Sequence, residues 1–474
     1  MRPGLSPGLN NPPVGSLTFS VARTRPLTAT LGGLCLLALG RFLVTAFSYQ
    51  HPAWFDEELN PLISFVRQGQ PVASIDQRQY GVVVFLVFEP AVRLLGSNGD
   101  VLASYALAVA LPCVVGAFAL VVARYFRNDL NRALLLAVVW FSAVPLLYDV
   151  AQRIVDAWQL FFISLALFLF TGSPRLRRLA GVPLAAATLT KLLPAVLLVY
   201  LLVRCWRSGL VGLAAIGVLL GIGQLVYGPL VGFGYPLTVL ASGGDAVRRW
   251  STHFENNSVR GLVYKAAAGF RLEGDSTSYQ LPPEWLPVLN VLAYLLAGGL
   301  LAYLLLVAWR SRGRQGLARR SVEFSLAIVT MLLISPHTAL DYTIAMLPVF
   351  GVGLYLALRG EPVRWPTRLL IVGGLAALLV GVFLPMNVMG RLLLLGPLLD
   401  LTHNAQNPLF GDAPAGVGIG VYDFFGFPGL GLLLAWAVLF RLERLTASEH
   451  ASIQGVARQP LLPWRLDAEH AAEP

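Results

Sequence analysis

The sequence predicts an all-α, polytopic transmembrane helical protein of about 12 spans. Three observations carry that expectation. Of 474 residues, 56% are hydrophobic and only 13% are charged, about half the charged share of a soluble domain. The apolar residues come in long runs such as Val291–Trp309, without the i, i+3, i+4 alternation of a surface helix, so every side of such a run suits lipid. The arginines gather in short loops between those runs.

Taken in order, residues 1–27 are rich in Pro, Gly and Ser and read as a disordered cytoplasmic tail. The apolar stretch that follows has no clear small-residue cleavage site, so it reads as a retained first helix rather than a signal peptide. Spans are expected at 28–48, 101–124, 132–148, 157–171, 179–190, 192–204, 208–231, 285–309, 322–335, 340–358, 367–387 and 424–441. The basic loops Arg124–Arg132, Arg175–Arg178, Arg204–Arg207, Arg310–Arg320 and Arg359–Arg368, and the tail over 442–474, then share one side with the N-terminus. The positive-inside rule makes that side cytoplasmic. Residues 28–441 form a single membrane domain, with outer loops at 49–100, 232–284 and 388–423.

Two choices make this parity work. Tyr80–Leu95 is short and carries Glu89, Pro90 and Arg93, so it is assigned as an interfacial helix in the first outer loop. Ala180–Val203 is assigned as two short helices meeting at Lys191. Each half has about 12 residues, or roughly 18 Å of helix, so Lys191 would sit at the floor of a cavity open outward. The alternative is one ordinary span with a snorkelling lysine, which would put Arg204–Arg207 outside.

The net charge of +10 is topological in this reading and attracts anionic lipid. Nucleic acid is excluded as a partner because no basic face is interleaved with exposed aromatics. Cys35, Cys113 and Cys205 lie in or beside apolar runs with no paired spacing, and imply neither a metal nor a disulfide. The chain has no Walker sequence, dinucleotide fingerprint, zinc motif or Ser-His-Asp signature.

The residues suited to chemistry fall on the outer side. The first outer loop opens His51-Pro-Ala-Trp-Phe-Asp-Glu-Glu58. A solvated acidic loop is the plain reading for Glu57 and Glu58. Asp56 follows an aromatic pair suited to the interface, and a partly desolvated carboxylate there is a competent general base. Asp149, Arg153 and Asp156 recur at about one helical turn and are expected to share a face, either as a salt-bridged helix end or as part of a site. Lys191, inside an apolar stretch, needs a partner: Asp149, Asp156 or an anionic ligand. Ser335-Pro-His337 ends the ninth span, with Asp341 one turn on. In the second long outer loop Asn257 or Ser258 caps a helix whose N-terminus, with Arg260, suits a phosphate.

Three stretches give the chain a resemblance. They are Trp54-Phe-Asp-Glu-Glu58, the segment from Ala151-Gln152 to Ala187-Thr-Leu-Thr-Lys-Leu-Leu-Pro194 and Arg204-Cys-Trp-Arg207, and Leu333-Ile-Ser-Pro-His-Thr-Ala-Leu-Asp-Tyr342. Together they resemble the integral-membrane GT-C glycosyltransferases. Within that class they are most similar to the bacterial polyprenyl-phosphate-mannose-dependent α-mannosyltransferases and related arabinofuranosyltransferases. The resemblance implies a GT-C fold in a cell membrane. It also implies a polyprenyl-phosphate sugar donor and a glycolipid, glycan or protein acceptor at the outer face. Asp56 is then the general base, with Glu57 beside it. Lys191, Arg153, His337 and Arg260 meet the donor phosphate, supported by Asp149, Asp156 and Asn257. No cofactor or metal is required, although Asp56 with Asp149 or Asp156 could hold a metal ion. A secondary transporter is the rival reading, weakened by the absence of an internal repeat and by acids placed at the outer rim.

Overall fold

The computed structural model describes residues 21–48, 62–63, 66, 81–153, 155–237, 239, 252–253, 256–269, 279, 281–314, 316–339, 341–358, 365–383 and 427–457. Its major elements are helices: α1 Val21–Ser48, α2 Val82–Leu95, α3 Gly99–Tyr125, α4 Leu130–Ser142, α5 Val144–Gln152 and α6 Asp156–Phe170. There follow α7 Pro174–Arg178, α8 Gly181–Thr188, α9 Ala195–Arg204, α10 Trp206–Tyr227 and α11 Val259–Ala267. The last are α12 Leu286–Arg310, α13 Leu317–Ile334, α14 Met346–Leu358, α15 Trp365–Leu378 and α16 Phe427–Ala457.

Among the described residues, six helical segments are long and apolar enough to cross a bilayer: Pro26–Phe47, Gly99–Tyr125, Trp206–Tyr227, Pro283–Arg310, Asp341–Leu358 and Pro366–Phe383. Helices α4 and α5, bent by 51°, make a seventh if they count as one span. The other expected spans correspond to elements that miss this measure. Helix α6 has 15 residues, about 22 Å of helix. Helices α8 and α9 are shorter still, and α13 carries Arg319, Arg320 and Glu323 in its first turns. The outer surface is apolar where lipid would meet it: Leu36, Leu37 and Leu225 are 71%, 72% and 88% exposed. This is a multi-pass membrane protein.

The helices run between two chemically different ends. At one end, Thr28 Oγ1 meets Asn131 Oδ1 at 2.7 Å and Arg124 Nε donates to Thr171 Oγ1 at 2.9 Å. Arg312 Nε donates to the Val203 carbonyl at 2.6 Å, and Arg204 Nη2 donates to the Arg314 carbonyl at 3.0 Å. These contacts gather the starts of α1, α4, α7, α10 and α13 with the ends of α3, α6, α9 and α12. Four of the arginine loops therefore meet there; the loop over 359–364 lies outside the described residues.

The stretch from Ala180 to Val203 is a helical hairpin. Ser208 Oγ donates to the Arg177 carbonyl at 2.6 Å, so the start of α8 lies beside the start of α10, which directly follows the end of α9. Glycine makes this closeness possible. A Cβ on Gly181 would collide with the Ser208 carbonyl, and one on Gly212 with the Leu198 side chain. Close approach over small residues is the usual means of packing helices in lipid. Lys191 falls in the turn at the far end of the hairpin.

Candidate active site

The hairpin tip leaves helical carbonyls without intrahelical partners, and neighbouring elements satisfy them. Gly81 N donates to the Thr190 carbonyl at 3.0 Å and Val83 N to the Leu189 carbonyl at 3.2 Å. A Cβ at Gly81 would clash with the Leu189 carbonyl, so only glycine lets α2 begin this close. Gln159, on the first turn of α6, donates from Nε2 to the carbonyls of Ala187 (3.3 Å) and Lys191 (3.2 Å). The lysine backbone is thus held from two sides before its side chain meets anything.

Lys191 Nζ lies 2.7 Å from Asp156 Oδ2 and 3.8 Å from Asp341 Oδ2. It sits over the Tyr342 ring, 4.4 Å from the centroid. Asp149 lies within electrostatic reach of Asp156, Asp341 and Lys191. All four charged residues are buried. Of the two carboxylates expected as partners for Lys191, Asp156 makes the close contact, and Asp341 joins it from the Ser335–Tyr342 segment.

The expectation that Asp149, Arg153 and Asp156 share one helix face is corrected. Helix α5 ends at Gln152, and Arg153 has φ 60°, in the left-handed region. A residue with a Cβ adopts that conformation rarely and at a cost, so the backbone here is strained between two short helices. The break re-aims the chain. Asp149 Oδ2 accepts from Ala157 N at 3.1 Å, capping α6 from the preceding helix and facing its positive end. Arg153 turns back on its own helix, donating from Nη1 to the Val150 carbonyl at 2.6 Å.

A second layer stitches the 335–338 segment to the turn before α11. Asn256 Nδ2 donates to the Pro336 carbonyl at 3.0 Å, and Asn256 Oδ1 accepts from Ser258 N at 3.1 Å and Thr338 N at 3.3 Å. Asn257 N donates to the Thr338 carbonyl at 2.8 Å. Of the two candidates for the cap of α11, Ser258 is the cap: its Oγ accepts from Gly261 N at 3.3 Å. Asn257 Oδ1 instead accepts from the buried Lys265 Nζ at 3.3 Å. Arg260 is buried with its guanidinium over Tyr294, 4.4 Å from the ring centroid.

His337 is edge-on to both His253 (6.4 Å between centroids) and Tyr342 (6.1 Å). A run of rings thus leads from His253 to Lys191. Burial, with His253 and the Lys191 and Lys265 cations adding to it, pushes His337 down to about 3. Burial and Lys265 push His253 down to about 4. His337 is therefore neutral near pH 7, a hydrogen-bonding group rather than a cation.

The structure brings together Lys191, Asp149 and Asp156, and joins them through Tyr342 to His337. Asp56 and Glu57 lie outside the described residues, and with them any metal site that shares Asp56. Among the described residues no three of His, Cys, Asp and Glu are placed to hold a metal ion. The residue list drawn from sequence lacks Asp341 and Tyr342 as contacts of Lys191, Gln159 as the anchor of the tip, and Lys265. Asp341 and Tyr342 have a signal, since they close the Ser335-Pro-His337 stretch. Lys265 has none, because a lysine on a short helix in an outer loop reads as solvated.

A helical membrane protein with a buried, charged, strained cluster at one end of its bundle has the form of an integral-membrane enzyme. Residues 79–336, more than half of the chain, match glycosyltransferase family 87, and the chain belongs to that family. It is a glycosyltransferase. The matched region includes Asp149, Arg153, Asp156, Lys191, Asn257 and Arg260; it begins beyond Asp56 and ends one residue before His337. No curated protein and no solved structure matches the chain.

Proposed function

We propose that the protein moves a sugar, mannose or another hexose or pentose, from a polyprenyl-phosphate-linked donor to an acceptor hydroxyl at the outer face of a cell membrane. About twelve crossings, with both termini cytoplasmic, place the charged cluster on that face. The arginine loops gathered at the opposite end support this orientation. The observation that carries the proposal is Lys191 at the hairpin tip, buried among Asp149, Asp156 and Asp341 at the end away from the arginines. A sugar donor that brings its own lipid anchor can enter such a site sideways, without a soluble nucleotide-binding platform.

In this mechanism Asp56, with Glu57 beside it, takes the proton of the acceptor hydroxyl as that oxygen attacks the anomeric carbon. The bond from that carbon to the phosphate oxygen breaks, polyprenyl phosphate leaves, and the configuration inverts. Charge developing on the leaving phosphate is met by Lys191. Asp156 and Asp341 hold the ammonium in place until the phosphate arrives, and Asp149 sets the start of α6. His337, being neutral, contributes a hydrogen bond. Arg153 and Arg260 add positive charge that attracts the donor phosphate, with Asn257 supporting the turn that carries Arg260.

The test is transfer by the purified protein in liposomes, offered polyprenyl-phosphate mannose, arabinose, glucose and galactose in turn, with Asp56→Ala in parallel. Transfer from one donor that the variant loses supports the donor class and the base together. Undiminished transfer by Asp56→Ala removes Asp56 from the base role. A folded protein that uses none of the four donors overturns the proposed donor class.

A further inference from the structure

The arginine end holds a cavity that sugar transfer does not use. It has a volume of about 430 Å³ and lies between α7, the junction of α9 and α10, and the turn after α12. Six of its lining residues are arginines, Arg177, Arg178, Arg204, Arg207, Arg312 and Arg314, and no described lining residue is acidic. Arg204 is neutralised behind the wall by Glu323 at 2.8 Å. Arg178, Arg207, Arg312 and Arg314 are exposed at the rim. Guanidinium groups crowded this way repel one another unless an anion is shared among them.

The surroundings indicate where that anion comes from. Arg207 lies over the Trp206 ring at 5.5 Å and Arg312 over Trp309 at 3.7 Å, and both tryptophans are 59% exposed. Exposed tryptophan beside arginine is the signature of headgroup depth in a bilayer. Next to the lining residues in the chain, Leu179 and Val182 at the start of α8 and Leu210 and Leu213 in the first turns of α10 are exposed apolar side chains, on two helix starts that pack against each other. A soluble phosphate would gain nothing from that surface, whereas acyl chains would lie along it.

We infer that this cavity binds the phosphate headgroup of an anionic phospholipid, with the arginine rim around the phosphate and the acyl chains against Leu179, Val182, Leu210 and Leu213. The site is independent of the sugar-transfer centre at the other end, and it differs from a diffuse positive-inside bias because its geometry selects particular arginines.

The experiment uses the full-length protein reconstituted in vesicles of equimolar phosphatidylcholine and phosphatidylglycerol, extracted mildly, with retained lipid counted by native mass spectrometry. Wild-type protein is expected to retain phosphatidylglycerol about tenfold over phosphatidylcholine. Arg178→Gln with Arg207→Gln should bring the ratio to near one. Arg127→Gln with Arg444→Gln, which removes the same charge outside the cavity, should leave it unchanged. Equal loss in both pairs would reduce the preference to net charge and overturn the site. An unselective wild type, a comparison that needs no variant, would overturn it as well. A third arm adds inorganic pyrophosphate to protein in phosphatidylcholine alone. A rise in melting temperature there, matching the rise given by phosphatidylglycerol, would make this a soluble-anion site and defeat the lipid assignment.

Discussion

The two ends of the bundle each bury a charge network, and the networks are built on opposite principles. At the arginine end, Glu323 accepts from Arg204 Nε at 2.8 Å and from Arg319 Nε at 2.7 Å, and Arg319 Nη2 reaches Glu443 at 3.1 Å and Ser311 at 3.0 Å. Two acids face two bases, and both oxygens of Glu323 are matched. At the other end three carboxylates, Asp149, Asp156 and Asp341, surround a single Lys191. The first network is neutral and fixes the positions of α9, α13 and α16. The second crowds three buried carboxyl groups about a lysine, an arrangement more typical of a functional site than of a structural ion pair.

The sharpest way to break this comparison is to remove a carboxylate from each end. Glu323→Ala takes from buried Arg204 and Arg319 the carboxylate they share, leaving Arg319 with Glu443, and should cost about 3–5 kcal/mol, read as a large fall in melting temperature and in folded yield. Asp149→Asn removes a buried carboxyl group crowded by Asp156 and Asp341 yet keeps an oxygen to accept from Ala157 N. It should leave the melting temperature unchanged or raised while sugar transfer falls. Comparable destabilisation by the two variants would mean that both networks are structural.

Next in size is the hairpin that carries Lys191. Gly181→Ala forces a methyl group against the Ser208 carbonyl, which is backbone and cannot swing aside. Overpacking of this kind costs about 1–3 kcal/mol. The variant should melt lower and, because the tip shifts with the hairpin, lose transfer beyond its loss of folded protein. Gly217→Ala, where a Cβ meets nothing within 4 Å, is the matched control on α10 and should behave as wild type.

Much of the scaffold was legible in the sequence because lipid imposes simple rules. Long apolar runs had to be helices, and the Arg175–Arg178 and Arg204–Arg207 loops could share one end only if the chain turned back near Lys191. The site was legible by residue type but not by geometry. Asp149, Asp156 and Lys191 are conspicuous in apolar surroundings. A helical repeat nevertheless placed Asp149 and Asp156 on one face, and the left-handed residue between them is Arg153, which lacks the glycine that normally announces such a break. The fit of α2 against the hairpin tip rests on the missing Cβ of Gly81, and a lone glycine before an apolar run carries no such message until its neighbour is known.

Replacing Lys191 separates its two roles. Lys191→Ala leaves Asp156 and Asp341 facing each other without the ammonium, so some stability is lost. If Lys191 also meets the donor phosphate, the KM for lipid-linked donor should rise about tenfold or more, and adding Asp156→Asn should restore the melting temperature without restoring KM. Recovery of both by the double variant would make Lys191 a structural partner of Asp156 and nothing else.

The smallest expected effect is on pH dependence, and it separates the ends again because His253 and His337 lie on the Lys191 side. Their folded-state values, about 4 and about 3, lie below the usual histidine value near 6.5. The unfolded chain therefore takes up protons first as pH falls. The stability these neutral rings contribute is complete above about pH 6.5 and is lost progressively as pH drops toward their folded-state values. At pH 5.5 the loss is about 1 kcal/mol per histidine. Melting temperature should decline between pH 7 and pH 5, and His337→Gln, which cannot take up that proton, should flatten part of the decline. An unchanged slope in His337→Gln would place the acid sensitivity among the carboxylates around Lys191 and detach His337 from the cluster's electrostatics.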